Sequence, residues 1–582
     1  MATATLSTES QWQGLIRRFE LGLRDFVNEA RLEPVKYGVM ILCAVFLVGL
    51  VCYPMFLLFK FSLLSETGSL TFDNYFEVLE RPGLFRALKN SLILGVVVPI
   101  GCMVLGLPMA WAVSRTNMPL KTLVRAFSGI AFVIPSFIGS IAWIFLLAPN
   151  SGKLNKLLIA LFGLEKAPFN IFTMSGLIFI LIMHYYPLVL FTVSASLDNI
   201  DPSYEDAARS LGAGRFRTAV GVTLPLVTPA VISGLILCVL DSLAAFGAPA
   251  AIGFPANFHV LTTKIYTLLA HPPKLQLAAA VSLPIIFFTG LCLITQRWYL
   301  GRTRYTTLTG KAGQAQGLDL GRWRWAVFGA CFLVIFVSVL LPMGALFILS
   351  LLKTFGAAVT LENMTFTNYG IFFDDTFLVW PSVQNSLILS ISTASLCIIF
   401  AIVYVWIVER TSIPGRGILT FIVMLTFGFP AVAMGVAVLL GYIDWIYGTL
   451  WILLVAYMAK RIPFAYIFLR NAIKQIMEEL EEAARIAGAS WLRSVRDVTV
   501  PLMKTGMWAA WVLIFSISLR ELAMSILLAQ PGTEVMAVAI YSFLEDGAVE
   551  YAAAVSVLVA ALSVVTVVLA RRIAGKGALE VS

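Results

Sequence analysis

The chain has 582 residues, is 59% hydrophobic and only 13% charged, and carries a formal net charge of +9. Its apolar residues come in long runs instead of short amphipathic segments, which excludes a water-soluble globular protein. The basic balance does not point to nucleic acid, because the cations sit in loops between apolar runs and not on one continuous face.

In residues 1–37, Arg17, Arg18, Glu20, Arg24, Asp25, Glu29 and Arg31 are interleaved with Leu15, Phe19, Leu23 and Phe26. This pattern predicts an amphipathic helix on the inner membrane surface, not a cleaved signal peptide. Twelve apolar runs follow, each about 20 residues and so long enough to cross a hydrocarbon layer of roughly 30 Å as a helix. They lie near 38–59, 91–113, 127–147, 174–196, 229–252, 277–296, 326–351, 386–408, 418–442, 449–469, 508–529 and 551–570. With the N-terminus inside, the loops on that side hold about 28 Lys and Arg against about 10 outside, which predicts that both termini are cytoplasmic. The seven cysteines fall in or beside apolar runs without CxxC pairing, and read as small lipid-facing or packing residues.

The chain repeats itself. Asn90-Ser91-Leu92-Ile93-Leu94 returns as Asn385-Ser386-Leu387-Ile388-Leu389, and Trp111, Arg115, Thr116 and Pro119 match Trp406, Arg410, Thr411 and Pro414. After the third run the offset falls from 295 to 276, which places an extra outer loop of about 19 residues at 150–172, where insertions are tolerated. Ala278-Ala279-Ala280-Val281-Ser282 then parallels Ala552-Ala553-Ala554-Val555-Ser556. The expected organisation is a surface segment (1–37), a first unit (38–297), a cytoplasmic linker (298–325), a second unit (326–572) and a tail (573–582). Six spans per unit make this a parallel repeat, with a pathway expected between the units.

After the fourth span of each unit, Glu205-Asp206-Ala207-Ala208-Arg209-Ser210-Leu211-Gly212 parallels Glu481-Glu482-Ala483-Ala484-Arg485-Ile486-Ala487-Gly488, with Pro225 and Pro501 each 13 residues beyond the glycine. Asp201 can cap a helix here, with Pro202 at its first position, early acidic residues suit the helix dipole, and Gly212 can end it. One such loop alone would read as an ordinary surface helix; two at equivalent places argue otherwise. The pair resembles the EAA loops of type I ABC importer permeases. The resemblance implies an all-α membrane protein of about 12 transmembrane helices, working with two copies of a cytoplasmic ATPase and a periplasmic binding protein in a bacterial inner membrane. It also implies that each loop docks on the ATPase, with Ala207, Ala208, Ala483 and Ala484 permitting close approach. Asp206 departs from the usual Glu, which Glu482 keeps. No segment fits GxxxxGK[ST], since Ala312 follows Gly310-Lys311 and Gly577 follows Gly575-Lys576, so the ATPase is expected to be a separate subunit.

Ionisable groups inside spans are costly and mark pathways or partners, which singles out His184, Asp241, Lys460, Arg461, Arg520 and Glu521. Their depths predict one opposite-charge contact in each unit, either static or exchanged as the pathway opens. Pro187 and Pro463 match in mid-span, where they would kink a helix or serve packing.

The linker Tyr305-Thr306-Thr307-Leu308-Thr309-Gly310-Lys311, with Phe246-Gly247-Ala248-Pro249 and Val260-Leu261-Thr262-Thr263, is similar to bacterial ferric-iron importer permeases over nearly the whole chain after residue 37. Similar permeases move 2-aminoethylphosphonate, polyamines, thiamine, sulfate or molybdate. His184, His259 and His271 are not grouped at ligand spacing, so neither a metal site nor a cofactor is expected. A secondary transporter with twelve spans in two parallel halves is the rival from another class, opposed by the paired loops. A membrane enzyme would need a convergent catalytic grouping that the sequence does not offer.

Overall fold

The structure, a computed structural model, describes residues 31, 33–201, 203–270, 272–302, 318–374, 379–411, 413 and 416–574. Most of the expected surface helix, the linker motif Tyr305–Lys311, Pro202, Pro414 and His271 lie outside the described residues.

The first unit runs α1 (Pro34–Ser62), α2 (Pro82–Arg115), α3 (Lys121–Val133), α4 (Ser136–Leu147), α5 (Met174–Asp198), the short α6 (Ser203–Ser210), α7 (Phe216–Ala244), α8 (Gly247–Gly253), α9 (Leu261–Leu269) and α10 (Leu275–Arg302). The second repeats the order as α11 (Trp323–Leu351), α12 (Val379–Arg410), α13 (Arg416–Gly428), α14 (Ala431–Ile446), α15 (Leu450–Ile473), α16 (Glu479–Ile486), α17 (Trp491–Leu519), α18 (Ser525–Leu528), α19 (Met536–Glu545) and α20 (Val549–Ala574). Among the described residues, 10 helices are long and apolar enough to cross a membrane, or 12 if the bent pairs α3–α4 and α13–α14 each count as one.

Those bent pairs correct the straight spans expected at 127–147 and 418–442. The chain turns by 96° between α3 and α4 and by 115° between α13 and α14. The cause is Pro135 and Pro430: the residue before a proline avoids the helical region, and Ile134 and Phe429 are extended at ψ 126° and 125°. The runs at 229–252 and 508–529 are likewise not single helices, because α7 ends at Ala244 and α17 at Leu519 before short helices begin. Pro187 and Pro463, by contrast, sit inside the uninterrupted α5 and α15.

Four π-turns, Val48–Cys52, Ala219–Thr223, Phe336–Leu340 and Val495–Thr499, lie inside α1, α7, α11 and α17, each ending two residues before Pro54, Pro225, Pro342 or Pro501. A ring without an N–H crowds the preceding turn, and the helix widens there to keep its other amides bonded.

The two units embrace. Tyr404 and Tyr442 of the second donate to the Cys43 and Gly49 carbonyls of α1 at 2.9 and 2.7 Å, and Phe46 stacks on Phe400 at 4.1 Å. Reciprocally, Ser338 of α11 meets Tyr186 of α5 at 3.3 Å. Within the first unit α2 lies close on α5, since a Cβ at Gly106 would come 2.8 Å from the Tyr186 carbonyl oxygen. The C-terminal end of the linker is clipped to the loop after α2: Leu318 N–H donates to the Arg115 carbonyl at 2.8 Å, and Asn117 N–H to the Leu318 carbonyl at 3.1 Å. In the region of the extra outer loop, the helix Lys153–Phe162 is held by buried Asn155, whose amide donates to the carbonyls of Leu147, Ala148 and Phe169.

Candidate functional site

The two EAA-like segments form α6 and α16. Asp201 accepts the Ser203 amide at 2.9 Å, a bond that holds its carboxyl below the usual aspartate range. Gly212 and Gly488 follow the helices at φ +84° and +90°, left-handed values that only glycine adopts without strain. Asp206, Ala207, Arg209, Glu482, Ala483 and Arg485 are exposed, while Ala208 and Ala484 are half-buried. Leu211 and Ile486 are 89% and 88% exposed, and Phe216 and Leu492 stand beside them in the open. Both motifs thus carry bare apolar side chains next to charged ones.

The first glutamate of each motif points the other way, into the bundle. Glu205 meets Arg115 Nε at 3.5 Å and accepts from Thr223 at 2.8 Å; Glu481 meets Arg410 Nε at 3.3 Å and accepts from Trp406 Nε1 at 3.0 Å. Arg115 also reaches the Ile200 carbonyl, and Arg410 those of Ile473 and Ile476. The short helix in each unit is thus tied to the last turn of α2 or α12. The signal was present in the repeat, where Arg115 and Arg410 match, but a matched arginine does not by itself name its partner.

The two motifs are not equivalent in their surroundings. Arg209 pairs within its own helix, with Glu205 at 3.4 Å and Asp206 at 3.6 Å, whereas Arg485 binds Glu33 just before α1.

A second site lies between the units. His184, Asp241, Lys460, Arg461, Arg520 and Glu521 all line one cavity of about 260 Å³, walled by Pro135–Phe137 of the first unit and Phe427–Ala431 of the second. Arg461 and Glu521, 6% and 8% exposed, form an ion pair. The first unit differs from the expected contact. His184 Nδ1 bonds the Ala131 carbonyl at 3.0 Å, and among the described residues Asp241 has no ion-pair partner, although it shares the cavity with three cations.

The broken helices explain this. A helix end leaves its last carbonyls without partners, and cations are favoured there. At the end of α3, Arg520 from the opposite unit donates to the Phe132 and Val133 carbonyls, with its guanidinium 5.7 Å from the Phe132 ring centroid. At the end of α13, Lys460 donates to the carbonyls of Thr426, Phe427 and Phe429. Lys460 and His184 hold equivalent places, and both are spent on carbonyls freed by a proline.

Tyr266 of α9 and Tyr541 of α19 face each other across the units at 6.5 Å between ring centroids, with Phe246, which lines the cavity, also 6.5 Å from Tyr541. No pattern in the residue types joins these aromatics, which come from matching positions in different halves.

Two like bundles enclosing a charged cavity, each with a short exposed helix between its long helices, define a polytopic membrane transporter component. The chain belongs to the family of binding-protein-dependent transport system inner membrane components, which it matches over residues 103–300 and 410–576. It is a multi-pass inner-membrane permease. It is 27% identical over 488 residues to the ferric transport system permease protein FbpB of Actinobacillus pleuropneumoniae, covering 82% of this chain and 69% of that one. The putative ferric transport system permease protein FbpB 1 of Haemophilus influenzae is 27% identical over 507 residues, 85% of this chain and 78% of the relative. The sulfate transport system permease protein CysT of Escherichia coli is 30% identical over 190 residues, 32% of this chain and 65% of the relative.

Proposed function

We propose that the chain is the membrane permease of an ATP-driven importer of ferric iron, with units 38–297 and 326–572 as its two permease domains. The observation that carries this reading is the pair of tethered helices: α6 and α16 each present an exposed face and each send a glutamate inward to an arginine on a long helix. Ferric iron is supported by relatives of that description that cover most of this chain.

In this mechanism both termini are cytoplasmic, and two copies of a separate ATPase seat α6 and α16. Exposed Ala207 and Ala483, with half-buried Ala208 and Ala484, allow close contact, and Gly212, Gly488, Pro225 and Pro501 fix the ends of the docking loops. Closure of the ATPase pair on nucleotide moves the loops as rigid bodies, and the Glu205–Arg115 and Glu481–Arg410 pairs pass the motion to α2 and α12. A periplasmic binding protein delivers cargo to the opposite face. The chain itself carries out no ATP chemistry.

The test is co-purification with the candidate ATPase, comparing wild type with Gly212→Asp plus Gly488→Asp, alongside ATP-dependent uptake of ferric iron and of 2-aminoethylphosphonate. Retention of the ATPase by wild type alone, with iron taken up, is the expected result. Uptake that needs no ATPase and follows a proton gradient would replace this reading with a secondary transporter.

A further inference from the structure

The cavity between the units gathers features that favour negative charge. α4 and α14, 12 and 16 residues long, both begin at its wall, and neither N-terminus has a side-chain cap. Such ends carry free amides and the positive pole of the helix dipole. Three cations, Lys460, Arg461 and Arg520, share the cavity with two carboxylates, Asp241 and Glu521. Arg461 is 6% exposed and its Nε has no hydrogen-bond partner, while Nη2 is taken by Glu521. Arg520 spends Nη1 on the α3 carbonyls and also lines the cavity. Discontinuous helices whose N-termini meet at a shared site suit an anionic group on the cargo.

The same cavity is a poor place for a bare ferric ion. A hard trivalent cation needs several oxygen ligands, yet among the described residues no group of three His, Cys, Asp or Glu can hold a metal, and the surplus cation repels it.

We infer that the cavity binds an oxyanion group through Arg461, Arg520 and the amides that open α4 and α14, so that cargo crosses bearing an oxyanion and not as a bare cation. This rests on the importer reading above. Two sources share the chemistry: an oxyanion coordinated to ferric iron, and a free oxyanion that is itself the cargo.

The experiment uses the whole assembly, permease with ATPase and binding protein, in proteoliposomes with ATP on the ATPase side. Radio-iron and radiolabelled inorganic phosphate are supplied together, and phosphate is supplied alone in a second arm. Expected are ATP-dependent entry of both labels in fixed proportion, a fall of about ten-fold in both for Arg520→Gln, and near wild-type entry for Arg520→Lys, which keeps the charge. Phosphate entering without iron would keep the oxyanion site and overturn the ferric cargo. Iron entering without phosphate, or both labels unaffected by Arg520→Gln at equal membrane abundance, would overturn the oxyanion site and leave the ferric importer standing. Entry of neither label would overturn the importer reading and the site with it.

Discussion

The Glu481 carboxylate binds the Arg410 guanidinium at 3.3 Å and so joins α16 to the last turn of α12, a link repeated in the first unit by Glu205 and Arg115 at 3.5 Å. Both partners of the second pair are about nine-tenths buried, with 8% and 10% of their side chains exposed. Removing one member of a buried pair costs roughly 3–5 kcal/mol, because the other charge stays behind. Glu481→Gln is therefore expected to lower ATP-driven uptake per molecule by about ten-fold or more, with Glu205→Gln milder because its pair is longer. Uptake normalised to membrane abundance checks this, and equal, unchanged rates in both variants would sever the proposed link.

The proposed docking on an ATPase makes a different demand, since it depends on what faces outward. Leu211 and Ile486 are almost fully exposed, so a polar replacement should change folding by no more than about 0.5 kcal/mol. Leu211→Asp combined with Ile486→Asp is expected to leave permease yield unchanged and to lose the ATPase on purification. If the ATPase stays bound to the double variant, this surface is not the docking face.

The carbonyls at the end of α13 supply a third test. Lys460 donates to three of them, and a buried acceptor left unpaired costs roughly 1–3 kcal/mol. Lys460→Met should lower the thermal midpoint in detergent clearly, and Lys460→His less so, because His184 fills the equivalent place in the first unit. A midpoint for Lys460→Met equal to wild type would mean that the lysine does not hold the break together.

Sequence reading reached the repeat, the membrane runs and the EAA-like helices because each rests on local pattern: run length, matched strings, glycine and proline at fixed spacing. It missed the helix breaks, though Pro135 and Pro430 are visible and equivalent, because apolar composition on both sides disguises a right-angle turn as one span. It brought the six intramembrane ionisable residues forward and paired them within each unit by depth, which agrees with Arg461 and Glu521 in the second unit but not with His184 and Asp241 in the first, and it named no partner for Arg520. Arg520 crosses to the carbonyls of α3, a partner that exists only once Pro135 has freed them and the units have embraced. Contacts made by backbone atoms of another element leave no mark in residue types. The same holds for Tyr266 and Tyr541, each ordinary in its own half.

Whether the Arg461–Glu521 pair is glue or gate turns on a comparison of single and double variants. The pair is buried, so Arg461→Met or Glu521→Met alone should destabilise the protein by roughly 3–5 kcal/mol, while the double variant, with two apolar side chains of similar volume, should return close to wild type. A static pair predicts that the stable double variant transports iron at the wild-type rate, and a pair that exchanges partners during opening predicts loss of uptake despite recovered stability. The oxyanion site, which uses Arg461, requires the second result; Asp241→Asn, which leaves both arginines in place and removes a negative charge from the cavity, should then raise apparent affinity for the anionic cargo. Full transport by the double variant would reduce the pair to packing and remove Arg461 from the pathway.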